Sequence, residues 1–158
     1  MTGAVTAMAD AGTGADEILL VEDNPNDAEL VVRALKRSGL RVSVSHAQDG
    51  VEAIDFLMGT GQHAARHGAA PPKLILLDCK LPKLTGIEVL KRIRSAPALR
   101  HVPAVILSSS SEARDIADAY ESGANSYVVK PVEFEEFVDA VGRLGHYWLR
   151  FNRISDRD

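Results

Sequence analysis

The sequence predicts an α/β protein: five β–α units forming a doubly wound parallel sheet, with helices on both faces in a three-layer sandwich. Three observations carry this reading. Short continuous apolar runs recur, as in residues 18–21, 74–77 and 102–107, each the length of a strand buried on both faces. Between them stand segments whose apolar residues recur at helical spacing. The runs end in charged or hydroxylated residues, Glu22 and Asp23, Asp78, Ser108 and Lys130. Alternating strands and helices imply parallel pairing through right-handed crossovers, and such sheets place functional groups outside the carboxyl ends of their strands.

The elements follow in order. Residues 1–16 are small and rich in Gly, Ala and Thr, without apolar period; they read as a flexible leader that contributes nothing to the core. Ile18-Leu19-Leu20-Val21 is the first strand. Asn24 is a good N-cap and Pro25 a good first helical residue, followed by Ala28, Val31, Val32 and Leu35 at helical spacing and Gly39 as the C-cap. Val42 and Val44 alternate with polar neighbours, as in an edge-like strand. Asp49 caps a second helix, with Glu52 completing a capping box, and Val51, Ile54, Leu57 and Met58 forming its apolar face. Residues 59–72 are rich in Gly, Ala and Pro and predict a long surface loop.

After the run 74–77, a loop with Pro82 and Gly86 leads to a helix carrying Ile87, Leu90 and Ile93 that stops before Pro97. The strand ending at Ser108 is followed by a helix from about Glu112 to Ser122, with Ser110 or Ser111 as its cap. Residues 126–129 form the last strand, and a final helix runs from about Glu133 to Phe151. The expected organisation is a leader over 1–16, one domain over 17–145, and a helical extension and tail over 146–158.

Composition narrows the function. The 158 residues hold 18 Lys and Arg against 22 Asp and Glu, for a net charge of −4, which argues against a nucleic-acid surface. The single cysteine, Cys79, excludes an internal disulfide framework, and it reads as a small packing residue. No apolar run approaches the roughly 18 residues of a membrane span, and the N-terminus lacks the pattern of a secretory signal. A soluble cytoplasmic protein is the expectation. The five histidines, His46, His63, His67, His101 and His146, are scattered and read as surface or loop residues.

The strand ends bring three carboxylates, a hydroxyl and an amine to one edge from distant segments. Two carboxylates about 4 Å apart repel by about 4 kcal/mol at an effective dielectric near 20, so three need a cation or raised pKa values. Hard oxygen donors without His or Cys favour Mg²⁺, with Mn²⁺ as a substitute. Such an ion takes a phosphoryl oxygen readily. Lys130 and Ser108 are suited to hold a phosphoryl group, which leaves Asp78 as a carboxylate nucleophile able to form an aspartyl phosphate.

The segments ILLVEDN (18–24), LILLDCKLPKLTGIEVL (74–90), PAVILSSS (103–110) and GANSYVVKP (123–131) resemble the response-regulator receiver domains of two-component signalling. The resemblance implies a flavodoxin-like fold with Asp78 as phospho-acceptor. It also implies Mg²⁺ held by Asp23, Asp78 and the Lys80 backbone carbonyl, with Glu22 acting through water. It assigns Ser108 as the switch hydroxyl, Lys130 as the phosphoryl-binding lysine and Tyr127 as the aromatic switch, and it implies a cis Lys130–Pro131 peptide. The donor is then a sensor histidine kinase, and the chain is a phosphoryl acceptor rather than an enzyme. More narrowly, the loop at 59–72, the Glu-Asp pair and the ending YWL (147–149) resemble receiver-only regulators that partner bacterial phytochrome kinases.

Two positions depart from the common pattern: Lys80 stands where Asn or Met is frequent, and Ser109 and Ser110 follow the switch hydroxyl. Lys80 also distinguishes the chain from phosphatases that form an aspartyl phosphate, which carry another Asp there; a pseudo-receiver acting only in binding would lack some of the site groups found here. No G-x-G-x-x-G follows the first strand, so dinucleotide binding is not indicated.

In the last helix Phe134, Phe137, Val141, Leu144, Trp148 and Phe151 form a heptad-like stripe. A helix of about 19 residues is about 28 Å long, so its end is expected to overhang the domain. Tyr147, Trp148, Leu149 and Phe151 are then candidates for a homodimer seam or kinase contact, together with the face of the fourth helix, last strand and fifth helix. With only residues 152–158 following, output is expected through protein contact or phosphate transfer.

Overall fold

The computed structural model describes residues 6–7 and 16–155. Its strands are β1 (Thr6–Ala7), β2 (Asp16–Val21), β3 (Val42–Ala47), β4 (Leu74–Leu77), β5 (Ala104–Ser108) and β6 (Ser126–Val129). Its α-helices are α1 (Pro25–Arg37), α2 (Gly50–Met58), α3 (Gly86–Ser95), α4 (Ala113–Glu121) and α5 (Phe134–His146). The sheet order is β1-β3-β2-β4-β5-β6. β2 to β6 are parallel, forming the flavodoxin-like (βα)5 arrangement.

Alternation along the strands divides the core in two. Leu19, Val21, Ile75, Leu77 and Ile106 face a layer built from α2, α3 and α4. Ile18, Leu20, Leu76, Val105 and Leu107 face α1 and α5. Every residue of β4 is buried, which is why its sequence is a continuous apolar run rather than an alternating one. α1 and α5 approach closely because Gly145 leaves room for Leu35 and Leu40: a Cβ there would lie 2.6 Å from Leu40 Cδ1.

The helix starts follow local chemistry. Asn24 Oδ1 accepts the Asn26 and Asp27 N–H groups (2.9 and 3.2 Å), with Pro25 opening α1. Asp49 Oδ1 accepts the Glu52 N–H at 2.8 Å, but Glu52 Oε1 accepts from Gln48 N–H and not from the cap itself, so the expected capping box is half formed. The complete box is Thr85 with Glu88 at the start of α3. The residue capping α4 is Glu112, without a side-chain bond; Ser110 instead accepts the Glu112 N–H and donates to Asp115.

The structure departs from the sequence reading at several points. Thr6–Ala7 pair antiparallel with His46 and Ser45 on β3, and Asp16 opens β2 opposite Val42, so these three leader residues belong to the sheet; residues 1–5 and 8–15 lie outside the described residues. The loop after α2 contains a 3₁₀ turn, Gly61–Arg66. It is clamped by Phe56, whose ring meets His63 edge-on at 5.6 Å and lies 3.6 Å from the Arg66 guanidinium. His46 is buried on β3 rather than at the surface, and His146 meets the Ser38 carbonyl at 3.0 Å. The Lys130–Pro131 peptide is trans, as no described peptide bond is cis. Cis and trans differ by only about 0.5–1 kcal/mol before proline, and the trans form already delivers the Lys130 side chain to the acidic edge.

The last helix is not straight to Phe151. α5 ends at His146 and gives way to a π turn over Tyr147–Phe151, closed by Asn152 N–H donating to the Tyr147 carbonyl at 2.6 Å. Trp148 and Leu149 consequently fold back against the α1–α5 layer, while Tyr147 and Phe151 stay 50% and 74% exposed. The overhang predicted from helix length is therefore half consumed by packing.

Candidate functional site

Sheet register assembles the site. Val21 pairs with both Ala47 and Leu77 at the carboxyl end of β2. Beyond it, Glu22 N–H donates to the Ala47 carbonyl (3.0 Å) and Asp78 N–H to the Val21 carbonyl (3.1 Å). The ladder thus continues one residue past the strands and sets Glu22 and Asp23 beside Asp78. On the other side β5 and β6 pair Ser108 with Val129, and Lys130 N–H donates to the Ser108 carbonyl at 2.7 Å. Gly86 fixes the remaining wall. A Cβ there would lie 2.3 Å from the Asp78 carbonyl oxygen and 2.8 Å from Cys79 Cα, so the start of α3 presses directly on the Asp78–Cys79 backbone.

The side chains converge. Glu22, Asp23 and Asp78 each offer a carboxylate oxygen, all within 4.8 Å of one another. The Lys130 ammonium lies 2.8 Å from Glu22 Oε1 and 3.6 Å from Asp78 Oδ2. Glu22 Oε2 also accepts the Asn24 N–H at 3.1 Å, and Asp78 Oδ1 accepts the Lys80 N–H at 3.3 Å. Three hard anionic donors, graded from buried Glu22 to exposed Asp23, fit a divalent cation that keeps part of its hydration.

Electrostatics follow from burial. Glu22 lies above the usual carboxylate range because burial disfavours its charge more than Lys130 and the Asn24 N–H restore it, and Asp78 adds repulsion. Burial alone would lower the Lys130 pKa, but its hydrogen bond to Glu22 and the charges of Glu22, Asp78 and Asp27 hold it above the ordinary lysine value. Lys130 is therefore a fixed cation across the physiological range. Burial, then Asp78 and Asp115, push the Cys79 thiol up to about 11, which agrees with a packing role.

Ser108 is buried and its Oγ accepts the Ser110 N–H at 3.2 Å. The half-buried Tyr127 donates its hydroxyl to the Ser110 carbonyl at 2.8 Å. Tyr127 is thereby tied to the loop that Ser108 begins. Two residues at the site escaped the sequence reading. Asp27 Oδ2 lies 3.4 Å from Lys130 Nζ; the only signal for it was an acid in the first turn of a helix. His46 Nε2 donates to the Glu22 carbonyl oxygen at 2.6 Å, pinning the peptide between the two acids. Its place at the end of β3 next to β2 was the available clue.

The receiver-domain model, described as "Response regulator receiver domain", matches residues 18–142. The chain belongs to this family. The receiver is 40% identical over 136 residues to the probable methanogenesis regulatory protein FilR2 of Methanothrix harundinacea, spanning 86% of this chain and 85% of that one. Among solved structures, it is similar to the phosphorylated cyanobacterial phytochrome response regulator RcpA, at 36% identity and TM-score 0.83, covering 90% of this chain and 100% of that one. It is similar to the Mn²⁺-bound form of Rcp1, a response regulator of Synechocystis, at 34% identity and TM-score 0.80, with 89% and 99% covered. The bacteriophytochrome response regulator AtBRR matches at 46% identity and TM-score 0.69, with 88% and 99% covered. The receiver is a phosphoryl-accepting signalling module, with an acidic cluster suited to a divalent metal. No helix among its described residues is long and apolar enough to cross a membrane.

Proposed function

We propose that this receiver takes a phosphoryl group on Asp78 from the phosphohistidine of a sensor histidine kinase. The observation that carries this reading is the placement of the Lys130 ammonium 3.6 Å from Asp78 and 2.8 Å from Glu22, beside three clustered carboxylates. An Asp78 oxygen forms the new bond to phosphorus as the phosphorus–nitrogen bond of the donor breaks, and the electron pair returns to the imidazole. Lys130 neutralises the charge that arrives with the group. Asp23, Asp78 and the Lys80 carbonyl, with Glu22 through water, would hold Mg²⁺, or Mn²⁺ in its place, which would supply further charge neutralisation for the transfer.

Ser108 and Tyr127 serve as the switch in this reading. A dianionic group on Asp78 draws the Ser108 hydroxyl toward it, away from the Ser110 N–H. Tyr127 shares that loop through its bond to the Ser110 carbonyl, so its ring follows. The change reaches the face of α4, β6 and α5, which forms a homodimer or kinase contact with the exposed Tyr147 and Phe151. Trp148 and Leu149 support that contact from beneath.

The phytochrome names of RcpA and AtBRR support a bacteriophytochrome kinase as the donor, and the cytoplasm is the compartment that this reading expects. The test is phosphotransfer from a panel of phosphorylated histidine kinases to wild type and Asp78→Asn, with mass in solution measured before and after. Transfer from a phytochrome kinase to wild type alone is expected. Equal labelling of both proteins contradicts the assignment of Asp78, and transfer only from an unrelated kinase contradicts the phytochrome link.

A further inference from the structure

Lys130 has a third partner that the receiver reading does not use. Asp27 stands in the first turn of α1, where its N–H is already satisfied by Asn24 Oδ1. Its carboxylate reaches across the sheet edge to Lys130, 103 residues away in sequence, at 3.4 Å. A carboxylate in a first helical turn is commonly explained by the helix dipole alone. Here the same group also shares the ammonium with Glu22 at 2.8 Å and Asp78 at 3.6 Å. Asp27 lies outside the group of carboxylates able to share one ion, which is Glu22, Asp23 and Asp78. Its effect on the site therefore runs through Lys130.

We propose that Asp27 is a positioning residue that holds the Lys130 ammonium back toward α1 and so sets how strongly a phosphoryl group on Asp78 is bound. The three distances order the competition. Glu22 and Asp27 hold the cation more closely than Asp78 does, so the acceptor oxygen is not locked in a tight ion pair. A phosphoryl group arriving on Asp78 must draw Lys130 away from Asp27, whose side chain is 40% exposed while that of Lys130 is 13% exposed. Glu22 stays paired because it is buried and its second oxygen is held by the Asn24 N–H. Asp27, open to water, is the partner that can release the lysine at small cost, because its carboxylate is rehydrated on release. The site thus contains one fixed and one exchangeable anchor for the same ammonium.

The inference rests on the phosphoryl-acceptor reading, and the experiment separates the two. Affinity for fluoroberyllate, a tetrahedral phosphoryl mimic, is measured at saturating Mg²⁺ for wild type, Asp27→Asn and Asp27→Glu, with thermal unfolding to show that each folds. Saturating Mg²⁺ removes any change in cation affinity from the comparison. Asp27→Asn is expected to bind the mimic about five-fold more tightly, the size of one partly screened charge at this range. Asp27→Glu, which keeps the charge, is expected to restore wild-type affinity. A role confined to the dipole of α1 would change unfolding and leave these affinities equal, which overturns the inference. Weaker binding by Asp27→Asn overturns it as well. Failure of wild type to bind the mimic overturns the underlying reading instead.

Discussion

Replacing Lys130 by Met removes the cation from a site that still holds Glu22, Asp23 and Asp78. Glu22 is 3% exposed and Lys130 is the cation within 2.8 Å of it, so little solvent is available to replace the lost pair. Removing one partner of a buried pair costs about 3–5 kcal/mol when the remaining charge has no escape. Glu22 has one, because it can bind a proton. Starting from 4.5, protonating it at about pH 7 costs no more than about 3.4 kcal/mol, at 1.36 kcal/mol per unit. Part of that is already present in wild type, whose Glu22 is raised by burial, so the deficit stays below about 3.4 kcal/mol.

The sign is fixed by linkage. A carboxyl raised in the folded state weakens folding as pH climbs above its unfolded value, and the weakening is complete above its folded value. The deficit of Lys130→Met should therefore vanish near pH 4.5, grow toward neutrality, and shrink again at neutral pH when Mg²⁺ is added. Urea unfolding of both proteins across this range, with and without the cation, measures it. A deficit that does not change with pH, or none at all, refutes the argument that Lys130 acts by compensating buried acid.

Three further outcomes follow from the packing of the fold. Arg94 donates to the carbonyls of Gly123, Val102, Arg100 and Leu99 and to Asn125 Oδ1, at 2.7–3.5 Å; Arg94→Met should lose about 3 kcal/mol in urea unfolding, and a loss below about 1 kcal/mol would show that these bonds contribute little. Gly86→Ala should weaken divalent-cation binding together with stability, because its Cβ meets the Asp78 backbone at 2.3 Å; Gly39→Ala, strained only by its φ of +84°, should lower stability by about 1 kcal/mol and leave cation binding alone. With a pKa of about 11, Cys79 holds about one thiolate in a thousand at pH 8. Its alkylation should be slow there, rise steadily with pH, and speed up when a cation neutralises Asp78. Fast labelling at neutral pH would contradict the burial argument.

The fold was legible because its central strands β2, β4 and β5 are buried on both faces, so Ile18–Val21 and Leu74–Leu77 stand out as unbroken apolar runs. The clustered acids were legible because each directly follows such a run, and parallel register brings strand ends together. What stayed hidden depends on side-chain reach. Asp27 resembles any acid in a first helical turn until Lys130 is placed opposite it. His46 looks like a polar residue of an alternating strand, yet Thr6–Ala7 and β2 flank it on either side. Arg94 stands with Lys91 and Arg92 in the last turns of α3 and gives no sign in sequence of the carbonyls it gathers. The 3₁₀ turn at Gly61–Arg66 is held by Phe56, a tertiary clamp that overrides a Gly- and Ala-rich local sequence. Trp148 follows the helical stripe in sequence and packs on the same core cluster as Phe137, Val141 and Leu144, whereas helix length alone places it beyond the domain.

Asp78 is the proposed nucleophile of the cluster, and every role assigned to Lys130, Ser108 and Asp27 depends on it. Incubation with a small-molecule phosphodonor and Mg²⁺, followed by intact and fragment mass spectrometry, tests this most directly. One phosphoryl group on the peptide carrying Asp78, not incorporated when Mg²⁺ is chelated before the donor is added and absent from Asp78→Asn, is the predicted result. A phosphoryl group on any other residue, or equal incorporation by the variant, would contradict it.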